Sequence, residues 1–316
     1  MSFVLAHLSD AHISPLPRPK WHELIGKRAT GYANWLNGRA RAHDMGVLGR
    51  LVKDLKGQGP DHIAMTGDVI NLGLRAEYPL GRDWLIDLCY LCGVSFVPGN
   101  HDAYARDTFA EIVRAFGPWM GSGKETGSFP YVHRTGKLAL IGLSSAIPTA
   151  PFLASGALGA DQLTRLPTLL RNAKAQGRAR VILIHHPPHR AGAPASRGLR
   201  DAGALEAVIA REGAELILHG HNHRMSLARI AGPSGPVPVA GVASASLRPG
   251  KHGHGAGYRL FRIEEHAAGW LVGMRTRVMG GDGAMQELEA AEGWQDIGAV
   301  RPQTPAPSAS SAGNEN

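Results

Sequence analysis

Five short apolar segments, each ending in a block of polar residues, constrain the fold of this 316-residue chain more than any other feature. The polar blocks combine aspartate, asparagine and histidine at close spacing: Asp10-Ala11-His12, Gly67-Asp68, Gly99-Asn100-His101-Asp102, His185-His186-Pro187-Pro188 and His219-Gly220-His221-Asn222-His223. Short apolar runs bounded by turn residues predict buried β-strands. Because ligands of such sheets bind beyond the strand ends, the sequence predicts one site built from distant segments.

Helix-like segments alternate with the predicted strands. We predict strands over residues 4–8, 62–65, 94–97, 138–143, 181–184 and 215–218, and helices over 42–55, 75–91, 108–116 and 161–175. This alternation predicts an α/β protein. Three more strands, at 237–242, 258–263 and 270–277, are expected to complete a second sheet.

Residues 1–300 show no internal repeat and no linker-like composition, which predicts a single domain. The segment 301–316 is rich in proline, serine and polar residues and cannot bury enough apolar surface to offset its ordering entropy, so we predict a disordered tail. An insertion, residues 15–40, separates the first two polar blocks and interleaves Trp21, Tyr32 and Trp35 with basic residues.

Composition and segment lengths predict a soluble, cytoplasmic protein. Hydrophobic residues are 43% and charged residues 19% of the chain, as in ordinary globular proteins. No apolar run approaches the roughly 18 to 20 residues of a membrane-spanning helix, and the amino terminus leaves no room for a signal peptide. Cys89 and Cys92 are spaced like a redox or zinc pair but have no partner pair, so two small buried core residues are favoured.

The polar blocks supply the carboxylate, amide and imidazole donors that divalent metals prefer. Asp10 and His12 stand two residues apart and can face one side of an extended segment. Asp68 has two oxygens that can bridge two ions at roughly 4 Å, a separation suited to phosphoryl transfer. His221 and His223 can serve one ion together or one ion each. Each block alone is weak support, but five in order are improbable by chance.

The same blocks resemble the full signature of the calcineurin-like metallophosphoesterases over residues 4 to about 225. The resemblance implies a four-layer α/β/β/α sandwich of two mixed sheets, with two divalent or mixed-valence ions of manganese, iron or zinc at the strand ends. The implied ligands form two sets that share a bridging aspartate: Asp10, His12, Asp68 and His223 for one ion, and Asp68, Asn100, His185 and His221 for the other.

The resemblance also implies a reaction, in which a hydroxide between the two ions attacks phosphorus. His101 matches the catalytic histidine of the family and is expected to protonate the leaving alkoxide or to hold a phosphoryl oxygen. Asp102 is expected to cap the next helix or play another structural part rather than to orient His101. His186 and His219 are expected to pack around the site rather than to bind metal.

The motifs favour some phosphoesters over others. A protein phosphatase is disfavoured because such enzymes carry G-N-H-E, whereas Asp102 occupies the fourth position here. The blocks are more similar to the cyclic-nucleotide phosphodiesterase branch, so we expect a small anionic phosphodiester such as a cyclic nucleotide. The alternatives are a pyrophosphatase acting on a UDP-linked lipid precursor and a nuclease. A noncatalytic binding module is disfavoured because every expected ligand and His101 are present.

The net charge of the chain is +8, and residues 17–57 carry nine Lys or Arg against three acidic residues. This excess can steer an anionic substrate or contact a phospholipid surface, or it can be a solvated helical face. The insertion can stack on a base, receive an acyl chain or cover one end of the sheet. In the glycine-rich loop 251–255, His252 and His254 are candidate substrate contacts, with a plain surface loop as the alternative.

Overall fold

A computed structural model of the chain describes residues 2–121, 127–250, 255–267, 269–288 and 293–299. Its helices are α1 (Lys27–Asn34), α2 (Ala40–Ala42), α3 (Met45–Gln58), α4 (Glu77–Cys89), α5 (Phe109–Phe116), α6 (Gly159–Ala175) and α7 (Ala202–Glu212). Its strands are β1 (Ser2–Leu8), β2 (His62–Met65), β3 (Gly93–Phe96), β4 (Tyr131–Thr135), β5 (Leu138–Gly142), β6 (Ala179–Leu183), β7 (Leu216–His219), β8 (Ser226–Ile230), β9 (Val237–Gly241), β10 (Gly257–His266), β11 (Gly269–Met279), β12 (Met285–Glu287) and β13 (Gln295–Ala299).

The strands form two mixed sheets. In the first, the order is β12-β11-β10-β1-β2-β3, with β13 also paired to β11. Strands β1, β2 and β3 are parallel, and β10 is antiparallel to β1. The second sheet has the order β4-β5-β6-β7-β9-β8, in which β5, β6, β7 and β9 are parallel.

Alternating side chains make the two sheets into a sandwich. On β6, Val181 and Leu183 join the large apolar core that also contains strands of the first sheet. Ile182 and Ile184 belong to a separate core with the apolar faces of α6 and α7. Because successive side chains of a strand point to opposite faces, the second sheet is buried on both. Helices α3, α4 and α5 pack on the first sheet, which confirms the predicted four-layer α/β/β/α architecture.

The parallel strands bring the polar blocks to one edge of the sandwich. Strands β1, β2 and β3 of the first sheet run the same way and are followed by the first three blocks. The fourth and fifth blocks follow the parallel strands β6 and β7 of the second sheet. The candidate metal ligands therefore lie at strand ends, as predicted.

The expectation that all three late strands complete the second sheet was wrong. Only β9 joins that sheet, whereas β10 pairs with β1 from Ser2↔Glu264 to His7↔Arg259, and β11 follows at its side. An apolar run specifies that a strand has a buried face, but it does not specify which strand lies beside it. Helix α7 and the strands β4, β8, β12 and β13 were not predicted from the sequence.

The prediction of two buried cysteines was also wrong. Cys89, at the end of α4, is exposed, and Cys92 is half-buried; both are free thiols. The buried face of α4 is carried by Gly81, Leu85 and Leu88, and the next residue along the helix turns toward solvent.

The insertion forms a cap over the loops that follow β2 and β3. It contains a 3₁₀ turn (Trp21–Glu23), α1 and a π-helical segment (Trp35–Arg39), and α2 extends the cap to Ala42. Gly31 packs so tightly that an added Cβ would lie 2.1 Å from the hydroxyl of Tyr104. Of the three roles considered for the insertion, covering one end of the fold is thus observed.

No helix in the described part of the chain is long and apolar enough to span a membrane. The predicted tail, 301–316, and the candidate substrate contacts His252 and His254 lie outside the described residues. The single domain over 1–300 stays a prediction.

Candidate metal centre

Backbone hydrogen bonds tie the strand-end loops of both sheets together. The N–H of Asp10 donates to the carbonyl of Gly67 at 2.8 Å, which joins the first two polar blocks. The N–H of His221 donates to Asp10 Oδ2 at 3.1 Å, which joins the second sheet to the first. These two bonds join three of the five polar blocks.

Two glycines permit this close approach. A Cβ added at Gly99 would lie 2.1 Å from Asp68 Oδ1, and one added at Gly220 would lie 1.8 Å from Ser9 Oγ. These distances leave no room for any side chain. The glycines in the polar blocks therefore serve packing of the loops against the ligand carboxylates.

Backbone strain is concentrated at the predicted ligands. The described non-glycine residues with positive φ are Phe152 and five members of the polar blocks: Asp10 (56°), His12 (43°), Asp68 (53°), His221 (69°) and His223 (51°). Such conformations cost about 1–3 kcal/mol each and persist only where the surroundings hold them. Here they aim side chains of adjacent loops at a common point.

The structure brings the predicted ligands into two groups. Asp10, His12 and His223 form one, and Asp68, His185 and His221 form the other; within each group the ligand atoms lie within 4.8 Å of one another. His223 Nε2 is 3.2 Å from Asp10 Oδ1, and His185 Nε2 is 3.3 Å from Asp68 Oδ2. These groups correspond to the two implied ligand sets.

Asn100 lies beside the second group. Its amide Oδ1 is 3.2 Å from His185 Nε2, and the side chain is almost fully buried. All seven predicted ligands are thus neighbours.

Hydrogen bonds orient two of the imidazoles toward these groups. His185 Nδ1 donates to the carbonyl of Thr66 at 2.7 Å, and His12 Nδ1 donates to the carbonyl of Ile70 at 3.2 Å. A carbonyl only accepts, so each Nδ1 carries a proton, and Nε2 is the ring nitrogen left to face the ligand group. A metal ion would bind the Nε2 lone pair, which requires that no proton remain on that nitrogen.

The electrostatics of the groups fit bound cations. Burial alone would raise the pKa of the Asp10 carboxyl, but the charge and hydrogen bond of His223, together with the charge of His185 and the hydrogen bond from Ser9, hold that pKa below its ordinary value. Burial opposes protonation of His185, yet the charge and hydrogen bond of Asp68, with the charge of Asp10 and the carbonyl of Thr66, raise the pKa of His185 to about 9, so the surroundings of this ring favour positive charge. The buried Nε2 of His221 has no hydrogen-bond partner in the described part of the chain. Buried ionised carboxylates and an unused imidazole nitrogen fit two divalent ions.

His101 lies beside the second group without joining it. Its backbone N–H donates to Asp68 Oδ1 at 2.7 Å, and its ring Nδ1 donates to the carbonyl of Asn71. The free Nε2 is therefore the ring nitrogen available to a substrate. Burial, followed by the charge of Arg39, lowers the pKa of His101 to about 3. The ring lines a cleft of about 390 Å³ together with members of both ligand groups.

Asp102 has a structural part, although it does not cap a helix. Its carboxylate accepts backbone N–H groups of four residues at the ends of β2 and β3, at 2.7 to 3.2 Å: Asp68, Val69, Ile70 and Gly99. The next helix, α5, begins only at Phe109. The expectation that Asp102 has a structural role is confirmed. The expectation that it caps the next helix was wrong, because its carboxylate instead bonds the loops that follow β2 and β3.

His186 and His219 are placed as packing residues. His186 Nδ1 contacts Ser145 Oγ at 2.8 Å and its Nε2 contacts the carbonyl of Ala154 at 3.0 Å, so both ring nitrogens are engaged. His219 Nδ1 contacts the carbonyl of Gly220 at 3.0 Å. Neither belongs to the two ligand groups.

Sequence reasoning missed three residues that line the cleft. Arg39 Nη2 is 3.3 Å from His12 Nε2, and Arg197 Nη2 donates to the carbonyl of His221 at 3.2 Å. The ring of His43 lies 4.4 Å from that of His12, centroid to centroid. None of the three follows a strand, so the pattern that identified the ligands could not find them. Only the basic character of the insertion pointed to Arg39.

Comparisons with known proteins agree with this geometry. The model of the calcineurin-like phosphoesterase family matches residues 3–225. Glycerophosphodiester phosphodiesterase GpdQ from Enterobacter lignolyticus is 28% identical over 233 residues, which are 71% of this chain and 72% of that protein. A probable cyclic nucleotide phosphodiesterase from Synechococcus is 30% identical over 174 residues, which are 54% of this chain and 61% of that protein.

Solved structures share the fold at low sequence identity. A dimetal phosphatase from Danio rerio superposes with a TM-score of 0.55 at 14% identity, over 92% of this chain and 99% of that one. Purple acid phosphatase PPD1 from yellow lupin gives a TM-score of 0.59 at 11% identity, over 91% of this chain and 53% of that one. With the family model covering most of its length and two groups of metal-ligand candidates at its strand ends, this chain belongs to the calcineurin-like phosphoesterases, a family of dinuclear metal-dependent hydrolases.

Proposed function

We propose that this protein hydrolyses a small anionic phosphodiester, with a cyclic nucleotide as the leading candidate substrate. The observation that carries the proposal is the cleft in which His101 lies beside both ligand groups, together with two arginines. Two relatives with phosphodiester substrates in their names support a diester rather than a monoester.

The proposed ligands are the seven residues of the two sets, with Asp68 contributing to both. Their oxygen and imidazole donors suit manganese, iron or zinc. When bound, two such ions supply Lewis acidity, which activates water and neutralises the phosphate oxygens.

The side chains around the cleft would bind and orient the substrate. Arg39 and Arg197 give it a positive wall that attracts the phosphodiester anion. The fixed Nδ1–H bond to the carbonyl of Asn71 holds the His101 ring in one orientation, with Nε2 free for the leaving-group side of the phosphate. Since Nδ1 already carries a proton, protonation of the leaving oxygen by Nε2 requires a second proton on the ring, which the negative charge of a bound phosphodiester would favour.

A second candidate is the pyrophosphatase reaction on a nucleotide-linked lipid precursor. The observation that favours it is the cap, where large apolar side chains such as Trp21 and Leu36 are exposed beside basic ones. Such a surface suits a substrate with an acyl chain.

The test is hydrolysis of bis-p-nitrophenyl phosphate and of the monoester p-nitrophenyl phosphate, after loading the purified protein with manganese, iron or zinc. We expect the diester to be preferred with at least one ion. A panel of cyclic nucleotides, glycerophosphodiesters, nucleotide-linked lipids and single-stranded DNA then separates the candidate substrates. The proposal would be overturned if protein loaded with two ions per chain hydrolysed the monoester faster than the diester with each of the three metals.

A further inference from the structure

Exposed apolar side chains cluster on two neighbouring segments. The cap, residues 15–42, exposes Trp21 (84%), Ile25 (69%) and Leu36 (63%), and the loop 149–154 exposes Phe152 (82%) and Leu153 (37%). Large aromatic and aliphatic side chains this exposed cost free energy in water unless another surface covers them. We call the cap and the loop together the cap surface.

The two segments are joined by direct contacts. Lys27 Nζ donates to Thr149 Oγ1 at 2.6 Å and to the carbonyl of Leu153 at 3.0 Å. Phe152, in the same loop, has a φ of 66° while its side chain points into solvent. A bulky residue rarely adopts this conformation, and here no burial offsets its cost. The exposed apolar residues of the loop therefore lie next to the cap.

Apolar residues make up about half of the outward side of the cap helices. Ala29, Ala33, Leu36 and Ala40 are exposed there beside Asn34, Asn37 and Arg41, whereas Gly31 and Trp35 are buried against the body of the protein. An outer side that combines apolar, uncharged polar and basic residues suits the interface between lipid and water.

Basic residues flank the apolar ones. Residues 15–42 contain six Lys or Arg and one acidic residue, Glu23, for a net charge of +5. Glu23 accepts the backbone N–H of Lys20 at 2.8 Å. Within the described ranges, no carboxylate forms an ion pair with the exposed side chains of Arg18, Lys20 or Arg41. Each such cation near an anionic lipid surface strengthens binding.

We propose that the cap surface docks on an anionic phospholipid membrane. Exposed aromatic and aliphatic side chains next to uncompensated cations are the composition of an interfacial membrane-binding element, and the charge selects acidic headgroups. This inference goes beyond the proposed hydrolysis and does not require that the substrate be a lipid.

The docking surface also borders the catalytic cleft. Arg39 and Ala42 of the cap and Ala154 of the loop line that cleft. A docked protein would therefore hold the mouth of the cleft at the depth of the lipid headgroups. Substrates at the interface would reach the cleft without crossing bulk water.

The test is sedimentation of the full-length protein with vesicles of phosphatidylcholine alone and of equal parts phosphatidylcholine and phosphatidylglycerol. We expect at least about tenfold more protein bound to the anionic vesicles, and a loss of binding as salt rises, because salt screens exposed charges. Equal binding to both vesicles, or no binding to either at low salt, would overturn the inference.

Three sets of variants locate the contact. Replacing the apolar residues Trp21, Leu36 and Phe152 by serine, or the basic residues Arg18, Lys20 and Arg41 by glutamine, should each reduce binding about tenfold or more. The matched control replaces Leu80, Ile86 and Tyr90, exposed on or next to α4, by serine and should bind as the parent does. All variants should keep parental turnover of soluble bis-p-nitrophenyl phosphate. Loss of binding in the control alone would overturn the inference. So would size exclusion showing that the parent is a dimer and the serine cap variant a monomer, because the cap surface would then bind a second copy of the chain rather than a membrane.

Discussion

The backbone N–H of His101 donates a 2.7 Å hydrogen bond to Oδ1 of Asp68. The carboxylate of Asp68, a member of the second ligand group, thus fixes the position of the His101 backbone. The side chain next to it, Asn100, points its amide oxygen toward His185 in the same group. Adjacent residues of one loop therefore have different surroundings: Asn100 contacts His185 of the second ligand group, and His101 lines the cleft beside it.

Asn100→Ala should lower metal content. The substitution removes one oxygen donor from the second ligand set but leaves the first set whole. We expect the metal content of the purified variant to fall toward one ion per chain, as measured by elemental analysis. Retention of two tightly bound ions would show that Asn100 is not a ligand.

His101→Ala should instead leave metal content at the parental value and reduce kcat by about 100-fold, because its Nε2 acts on substrate rather than on metal. The measurement pairs elemental analysis with turnover of bis-p-nitrophenyl phosphate. His101→Gln, which keeps a polar side chain of similar reach, is the matched comparison. Metal loss equal to that of the Asn100 variant would contradict the separation of roles.

Arg197→Met should weaken substrate binding. The variant keeps most of the apolar stem and removes one positive charge from the wall of the cleft. We expect KM for an anionic diester to rise about tenfold at unchanged metal content, with a smaller change in kcat. Arg190→Met, on an exposed arginine paired with Glu206, is the control. An unchanged KM would remove Arg197 from the substrate site.

Gly220→Ala should destabilise the metal centre. The new Cβ would fall 1.8 Å from Ser9 Oγ and 2.5 Å from Asp10 Oδ2, so the two sheets would have to separate locally. Overpacking of this kind costs about 1–3 kcal/mol, which thermal unfolding detects, and metal content should fall as well. Gly49→Ala in α3 is the control, because its Cβ meets nothing within 4 Å. That variant should be neutral or stabilised by up to about 1 kcal/mol.

His62 should make the fold sensitive to acid. It is buried, contacts Ser95 Oγ at 2.9 Å and stacks on His133. Burial, followed by the charge of His133, lowers the pKa of His62 from 6.5 to about 3. Between these values the unfolded chain binds a proton that the folded chain does not, so stability falls as pH falls below 6.5, by up to about 1.4 kcal/mol per pH unit.

His62→Gln removes this titration while keeping a polar side chain near Ser95. Its free energy of unfolding, measured by denaturant titration at several pH values, should fall less steeply below pH 6.5 than that of the parent. The exposed His22→Gln should follow the parental pH dependence. Identical slopes for His62→Gln and the parent would refute the assignment.

The sequence alone determined which polar residues stand at the strand ends, and the structure brings these residues together. Asp10, Asp68 and His185 each follow an apolar run, and that local pattern predicts both a buried strand and a polar side chain at its end. The family signature and the four-layer architecture follow from the same blocks. The ligand roles stay predictions, which metal content will test.

Only the tertiary structure decided how distant segments meet. It placed β10 beside β1 rather than in the second sheet, brought Arg39 and Arg197 to one cleft and turned Asp102 back onto the loops of two strands. Strand neighbours and cleft walls arise from pairing and packing between residues far apart in the chain, and a single sequence carries no local pattern for them. The type of side chain at a strand end can be read from adjacent residues in the sequence, whereas its neighbours in space depend on the fold.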